Sequence, residues 1–175
     1  MASKFLPEQS LDAEYKVLED PRGHKHEIRL WLRLLTCTKL VETSIRQRLR
    51  EEFQMTLPRF DLMAQLERSA VGLSLSDLSE RLMVSNGNVT GLVERLAKEG
   101  LVVRVIDAED RRAARVHLTD KGRTLFSRMA VAHRSWVSEL FAGLASQQQQ
   151  ALWEDLGRLK ASVRRVDAAP VSVVP

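Results

Sequence analysis

Asn86, Asn88, Thr90 and Arg95 lie within one short stretch, interleaved with Gly87 and Gly91 and preceded by Ser85. These are side chains suited to reading duplex DNA. An asparagine amide donates and accepts at once, matching the edge of adenine in the major groove, and a threonine can meet a thymine methyl or a phosphate. Each glycine costs a helix about 1 kcal/mol relative to alanine. Such a cost is expected where a backbone must come close to another molecule, and a DNA strand is the natural candidate. A little further on, Asp110, Arg111, Arg112 and Arg115 form a second polar group. Guanidinium groups such as those of Arg111 and Arg115 hold phosphates, which position a protein on a duplex without reading its sequence. A charged cluster is most often a solvated loop; its place directly after the first stretch is what favours DNA here.

The elements that must present these residues can be read from capping and periodicity. Ser74 and Asp77 have the S-x-x-D spacing of a capping box, which opens a helix over Leu75–Leu82. After a turn at Met83 and Val84, Ser85 caps a second helix with Val89, Leu92, Val93 and Leu96 on one face. Gly100 closes that helix. Two short helices joined by a tight turn form a helix-turn-helix, whose second helix can enter the major groove. Leu101–Ile106 and Ala113–Leu118 follow as two short, β-branched runs. Residues 107–112 between them are turn-like, so the pair reads as an antiparallel ribbon. Thr119 caps the next helix.

The order and spacing of Ser85–Thr90, Leu92-Val93-Glu94-Arg95-Leu96, Glu99-Gly100-Leu101-Val102, Asp110-Arg111-Arg112 and Leu118-Thr119-Asp120-Lys121-Gly122 resemble the MarR family of winged-helix transcriptional regulators. The likeness is close over the middle third of the chain and looser in the flanking helices. It implies that Arg112 reaches into the minor groove, braced by Asp110. That role is physically apt, because a narrow A·T-rich minor groove concentrates negative potential. It also implies that terminal helices of two chains intertwine into a dimerisation base, and that a small, often aromatic or anionic, ligand binds between that base and the winged helix. Gly87-Asn88 stands where larger or hydroxylated residues are more usual in the family, so the base sequence read does not follow.

The rest of the chain fits one domain with extensions. It has 175 residues, 44% of them hydrophobic and 29% charged, which is ordinary for a globular protein with a core. A net charge of +4 is too small to make the whole surface a nucleic-acid blanket, so local placement matters. The start lacks the apolar core of a signal peptide, no apolar run is long enough for a membrane span, and the single Cys37 excludes an internal disulfide. Cytoplasmic residence is the expectation.

Residues 1–23 form an arm ending in Pro21-Arg22-Gly23. From His24 to Phe53 one long helix carries Ile28, Trp31, Leu35, Ile45 and Leu49 on an apolar side, with Arg29, Thr36, Thr43, Gln47 and Arg50 opposite. Pro58 marks the start of a second helix over Arg59–Ser69, with Phe60, Leu62, Met63 and Leu66 inward. Val71–Leu73 is a candidate third strand. Thr119–Leu144 carries Leu125, Met129, Ala132, Trp136, Leu140 and Leu144 at nearly coiled-coil steps. A last helix runs from Ser146 to Val166 with Leu152, Leu156, Leu159 and Val163 apolar, and residues 167–175 read as a disordered tail. The fold class is therefore mainly α with a small β-wing. A winged helix-turn-helix over 57–123 is flanked by dimerisation helices over 24–55 and 124–166, because both ends are amphipathic and neither has a partner of its own.

For the ligand that the resemblance implies, His26, Leu30, Arg33 and Cys37 form a stripe on the first helix. Phe60 and Met63 on the second helix, with His133 and Trp136 on the fifth, could complete a cleft. An arginine at its edge suits a carboxylate or phosphate, although each of these residues is equally at home in a core or on a surface. Cys37 could instead be a redox sensor, but in that branch of the family the cysteine lies earlier and has tyrosine partners, and here the sole tyrosine is Tyr15. Four histidines and one cysteine show no zinc spacing, so no metal or cofactor is expected. No G-x-S-x-G, H-E-x-x-H or phosphate-cradling glycine loop is present, which argues against an enzyme. The reading is a homodimeric, ligand-responsive regulator, most simply a repressor, released from a pseudo-palindromic operator by an aromatic acid or its coenzyme A thioester. Its alternatives are a thiol-based sensor using Cys37, an architectural DNA binder without effector, and an interaction module that has lost DNA affinity.

Overall fold

A computed structural model describes residues 26–106 and 114–168. The chain divides into two compact units, residues 1–133 and 134–175. The first contains α1 (His26–Phe53), α2 (Leu57–Glu67), α3 (Leu75–Leu82), α4 (Asn86–Lys98), β1 (Val102–Ile106), β2 (Ala114–Leu118) and the start of α5 (Asp120–Leu140). The end of α5 and α6 (Ser146–Ala168) belong to the second.

In the first unit, Ile45 and Leu49 of α1, Phe60, Leu62, Met63 and Leu66 of α2, Leu78 of α3 and Val89, Val93 and Leu96 of α4 are all buried, as are Leu101, Val102, Val116, Leu118 and Met129. Apolar side chains recurring at helical steps on α2 and α4 thus supply the core. The apolar side expected along α1 is split by the fold: its later residues are core, whereas Ile28 and Trp31 near its start remain 44% and 58% exposed. Thr36, placed on the solvent side by the sequence pattern, is half-buried.

Several boundaries differ from those expected, each for a local reason. Helix α2 starts at Leu57, two residues before Arg59, because Pro58 fits within the first turn, where no N–H is needed; it ends at Glu67, not Ser69. Strand β1 starts at Val102, since Leu101 is used elsewhere: its N–H donates to Leu96 O at 2.9 Å and its carbonyl accepts from Thr119 N at 3.1 Å. The ribbon is antiparallel, with Val102 opposite Leu118 and Ile106 opposite Ala114. The third strand expected at Val71–Leu73 shrinks to one bridge, Leu73 to Val116. Gly72, at φ +70°, turns the chain and donates to Ser69 O, which prevents a longer extended run.

In the second unit, α5 stops at Leu140 and does not reach Leu144. Tight turn bonds, Ala142 N to Glu139 O and Leu144 N to Phe141 O, replace helical ones there, and Gln148 Oε1 accepts from Ala145 N just before α6. Helix α6 runs on to Ala168, so residues 167 and 168 are helical where a disordered tail was expected. Residues 1–25, including the N-terminal arm, and 169–175 lie outside the described residues. No described helix is long and apolar enough to cross a membrane.

Candidate nucleic-acid interface

The helix-turn-helix forms as its caps require. Ser74 Oγ accepts from Asp77 N, and Asp77 Oδ2 accepts from Ser74 N, both at 3.0 Å. Hydrogen bonds from the Ser74 side chain and then its backbone hold the Asp77 carboxyl below the usual carboxylate range; burial opposes this, and Arg115 and then Arg81 add lesser lowering effects. Met83 ends α3 in a left-handed conformation, φ 54°, with its side chain almost wholly in solvent. Ser85 then caps α4, accepting from Asn88 N.

On α4 the exposed residues match those expected from the sequence in part, and Glu94, Ala97 and Lys98 are exposed as well. Asn86, Gly87, Asn88 and Arg95 are exposed; Thr90 and Gly91 are half-buried. Thr90 Oγ1 donates to Asn86 O at 2.9 Å and Arg95 Nε to Gly91 O at 3.0 Å, so both side chains lie along the helix. A Cβ at residue 87 would meet nothing within 4 Å, and one at residue 91 only an Arg95 nitrogen at 3.6 Å. Nothing inside the described fold therefore requires these glycines. Their helix-weakening cost is consistent with close approach by another molecule.

The far end of α4 is fastened from several directions. Glu99 pairs with Arg59 of α2. Lys121 Nζ donates to Glu99 O at 2.8 Å, and Thr119 Oγ1 to Gly100 O at 2.7 Å while accepting from Gly122 N. Gly100 adopts φ +70°, as a closing glycine does. Thr119 thus caps α5 and ties it to the end of α4. Arg59 is mostly enclosed, and among the described residues its Nε has no hydrogen-bond partner. This anchoring sets the angle at which α4 projects. Sequence reasoning missed Arg59 and Glu99 because a pairing across 40 residues leaves no periodic trace.

In the wing, Arg115 is exposed on β2 and its Nη1 donates to Gly72 O at 3.4 Å. Asp110, Arg111 and Arg112 lie outside the described residues. The residues suggested for a ligand fall into different settings. His26, Leu30 and Arg33 line an open hollow on α1, joined by Arg29, which the sequence had left in solvent. Cys37 is exposed. Met63 is fully enclosed, and Phe60 is a core residue stacked near Phe126 and His133, with ring centroids 5.5 and 5.0 Å away. Burial pulls the His133 imidazole below its ordinary pKa. Trp136, in the second unit, is buried. Among the described residues, no group of three His, Cys, Asp or Glu could hold a metal ion.

A profile of the MarR family matches residues 55–114. A MarR family transcriptional regulator from Silicibacter pomeroyi is 36% identical in a superposition covering 78% of this chain and 94% of that one, with a TM-score of 0.68. The transcriptional activatory protein BadR of Rhodopseudomonas palustris is 34% identical over 104 residues, 58% of this chain and 59% of BadR. Sco3205 of Streptomyces coelicolor, a MarR family regulator solved in complex with DNA, shares the fold at a TM-score of 0.71 and 24% identity, covering 87% of this chain and 97% of that one. The chain spans 51%, 81% and 59% of the length of the first three curated relatives it matches.

Proposed function

The chain belongs to the MarR family of DNA-binding transcriptional regulators, and from that premise we propose that it is a cytoplasmic, homodimeric repressor whose operator is a pseudo-palindrome. One observation carries this reading: α4 is anchored at its C-terminal end while Asn86, Gly87 and Asn88 at its start face solvent, and Arg115 is exposed on the wing strand that follows. A helix so presented can insert into a major groove, with the wing arginines on phosphates and Arg112 in the adjoining minor groove. A dimer would place two such helices on half-sites about one helical turn apart. The apolar stripe of α6, Leu152, Leu156, Leu159 and Val163, is exposed along its length and supports a second copy as its cover.

Release would come from a small aromatic or anionic effector that binds better to a form whose recognition helices no longer match the operator. Only such a difference in affinity can shift the equilibrium. The hollow bearing His26, Arg29, Leu30 and Arg33 supplies cationic and apolar lining for an aromatic acid or its coenzyme A thioester. Footprinting on DNA flanking the gene, with and without a panel of such acids and thioesters, tests both levels. A regulator protects discrete sites and loses them to one ligand class. Uniform coating would indicate an architectural binder, and sites lost to peroxide but to no ligand would indicate a thiol switch at Cys37.

A further inference from the structure

The side chain of His117 rests on a residue far away in sequence. A Cβ added to Gly72 would come within 2.5 Å of the His117 ring atoms Cε1 and Nε2, so the imidazole occupies the space that any larger residue at 72 would need. The same glycine holds a left-handed φ of +70°. Its carbonyl accepts from Ser69 Oγ at 2.9 Å and from Arg115 Nη1 at 3.4 Å. Next to it, Leu73 and Val116 exchange both backbone hydrogen bonds, at 3.1 and 2.8 Å. Two residues further on stands Ser74, the cap of α3, whose partner Asp77 feels the charge of Arg115. The turn at Gly72 therefore joins α2, the wing and the start of the helix-turn-helix.

His117 and Arg115 are alternate residues of β2 and share one face of the ribbon, opposite Val103 and Val105. Val71, just before the glycine, is largely exposed, so on that side the turn has only the imidazole packed against it, while Ser69 Oγ and the buried Leu73 hold the other. With the imidazole removed, Ser69 Oγ and the Leu73–Val116 pair still hold the Gly72 peptide, but the side of the glycine that the ring fills is left open and the 3.4 Å bond from Arg115 loses that backing. We propose that His117 is a positioning residue for DNA binding: seated on Gly72, it fixes the carbonyl that aims Arg115 at a phosphate. This rests on the reading of Arg115 as a phosphate contact.

The test is a double-mutant cycle on mixed-sequence double-stranded DNA, with affinity followed across a salt series and melting temperature recorded for each variant. Arg115→Ala is expected to flatten the salt dependence by about one unit of slope, the signature of a lost phosphate contact. His117→Ala is expected to weaken binding roughly three- to tenfold, within the range of coupling between neighbouring groups, and to have almost no effect once Arg115 is alanine. His117→Phe, which keeps a flat ring without a charge, is expected to restore most of the affinity. Should His117→Ala melt too low to assay, His117→Gln serves in the same cycle. An unchanged slope in Arg115→Ala would overturn the phosphate contact itself. A normal Arg115 effect with a fully additive His117 effect would overturn the positioning role alone, and failure of His117→Phe to rescue would point to the imidazole contacting DNA directly.

Discussion

At the residue scale, the exposed groups of the proposed interface are expected to divide into those that read and those that position. Asn88 carries a neutral amide at the open start of α4, and its backbone N–H is already satisfied by Ser85. Asn88→Ala is expected to cost about 1–3 kcal/mol on the operator and little on scrambled duplex, because a neutral amide releases no counterions. Arg115→Ala should weaken both duplexes alike. Salt titrations of the two variants on both DNAs check this, and identical profiles would show that the roles are misassigned. Thr90 contributes less freely than its type suggests, since its hydroxyl already donates to Asn86 O.

At the scale of elements, the short-range rules of capping and periodicity made most of the fold legible. Ser74 and Asp77, Ser85 and Gly100, and Thr119 in its capping bond from Gly122 N, act within a few residues of themselves, and each does what its type and spacing require. What the sequence hid is long-range: the Arg59–Glu99 pair, the Lys121 bond to Glu99 O and the His117–Gly72 seat have no local signature. The early end of α5 was hidden for a related reason, because Leu144 continues the apolar spacing although the backbone has already turned. Of the proposed interface, the exposure of Asn86, Asn88, Arg95 and Arg115 was legible by type; the groups that hold α4 in place were not. The capping box yields a pH prediction. Because Ser74 lowers the folded-state pKa of Asp77, the stabilisation is present above the unfolded carboxylate pKa and is lost as pH falls through the folded value. Asp77→Asn should therefore melt below the wild type at neutral pH, with the gap closing in acid. Thermal melts across an acid-to-neutral series check it, and a gap independent of pH would contradict it.

At the scale of the molecule, the exposed apolar stripe of α6 is the surface that the proposed second copy would cover. The stripe on α6 steps by four, three and four residues from Leu152 to Val163, the spacing of a helix made to pack on another helix. Sedimentation velocity at micromolar concentration should show a dimer. Leu159→Glu, which sets a charge in the middle of that stripe without disturbing a buried side chain, should yield monomer that retains helical circular dichroism. A wild-type monomer, or a Leu159→Glu dimer, would place the interface elsewhere.

The central claim is that two anchored recognition helices read one symmetric site. Its most direct measurement is selection of bound duplexes from a random pool by the full-length protein, repeated with Asn88→Ala. The account predicts enrichment of an inverted repeat whose half-site centres lie about one helical turn apart, with preference lost at one symmetric pair of positions in the variant. A pool that gains no inverted repeat, or a motif that Asn88→Ala leaves unchanged at every position, would contradict it.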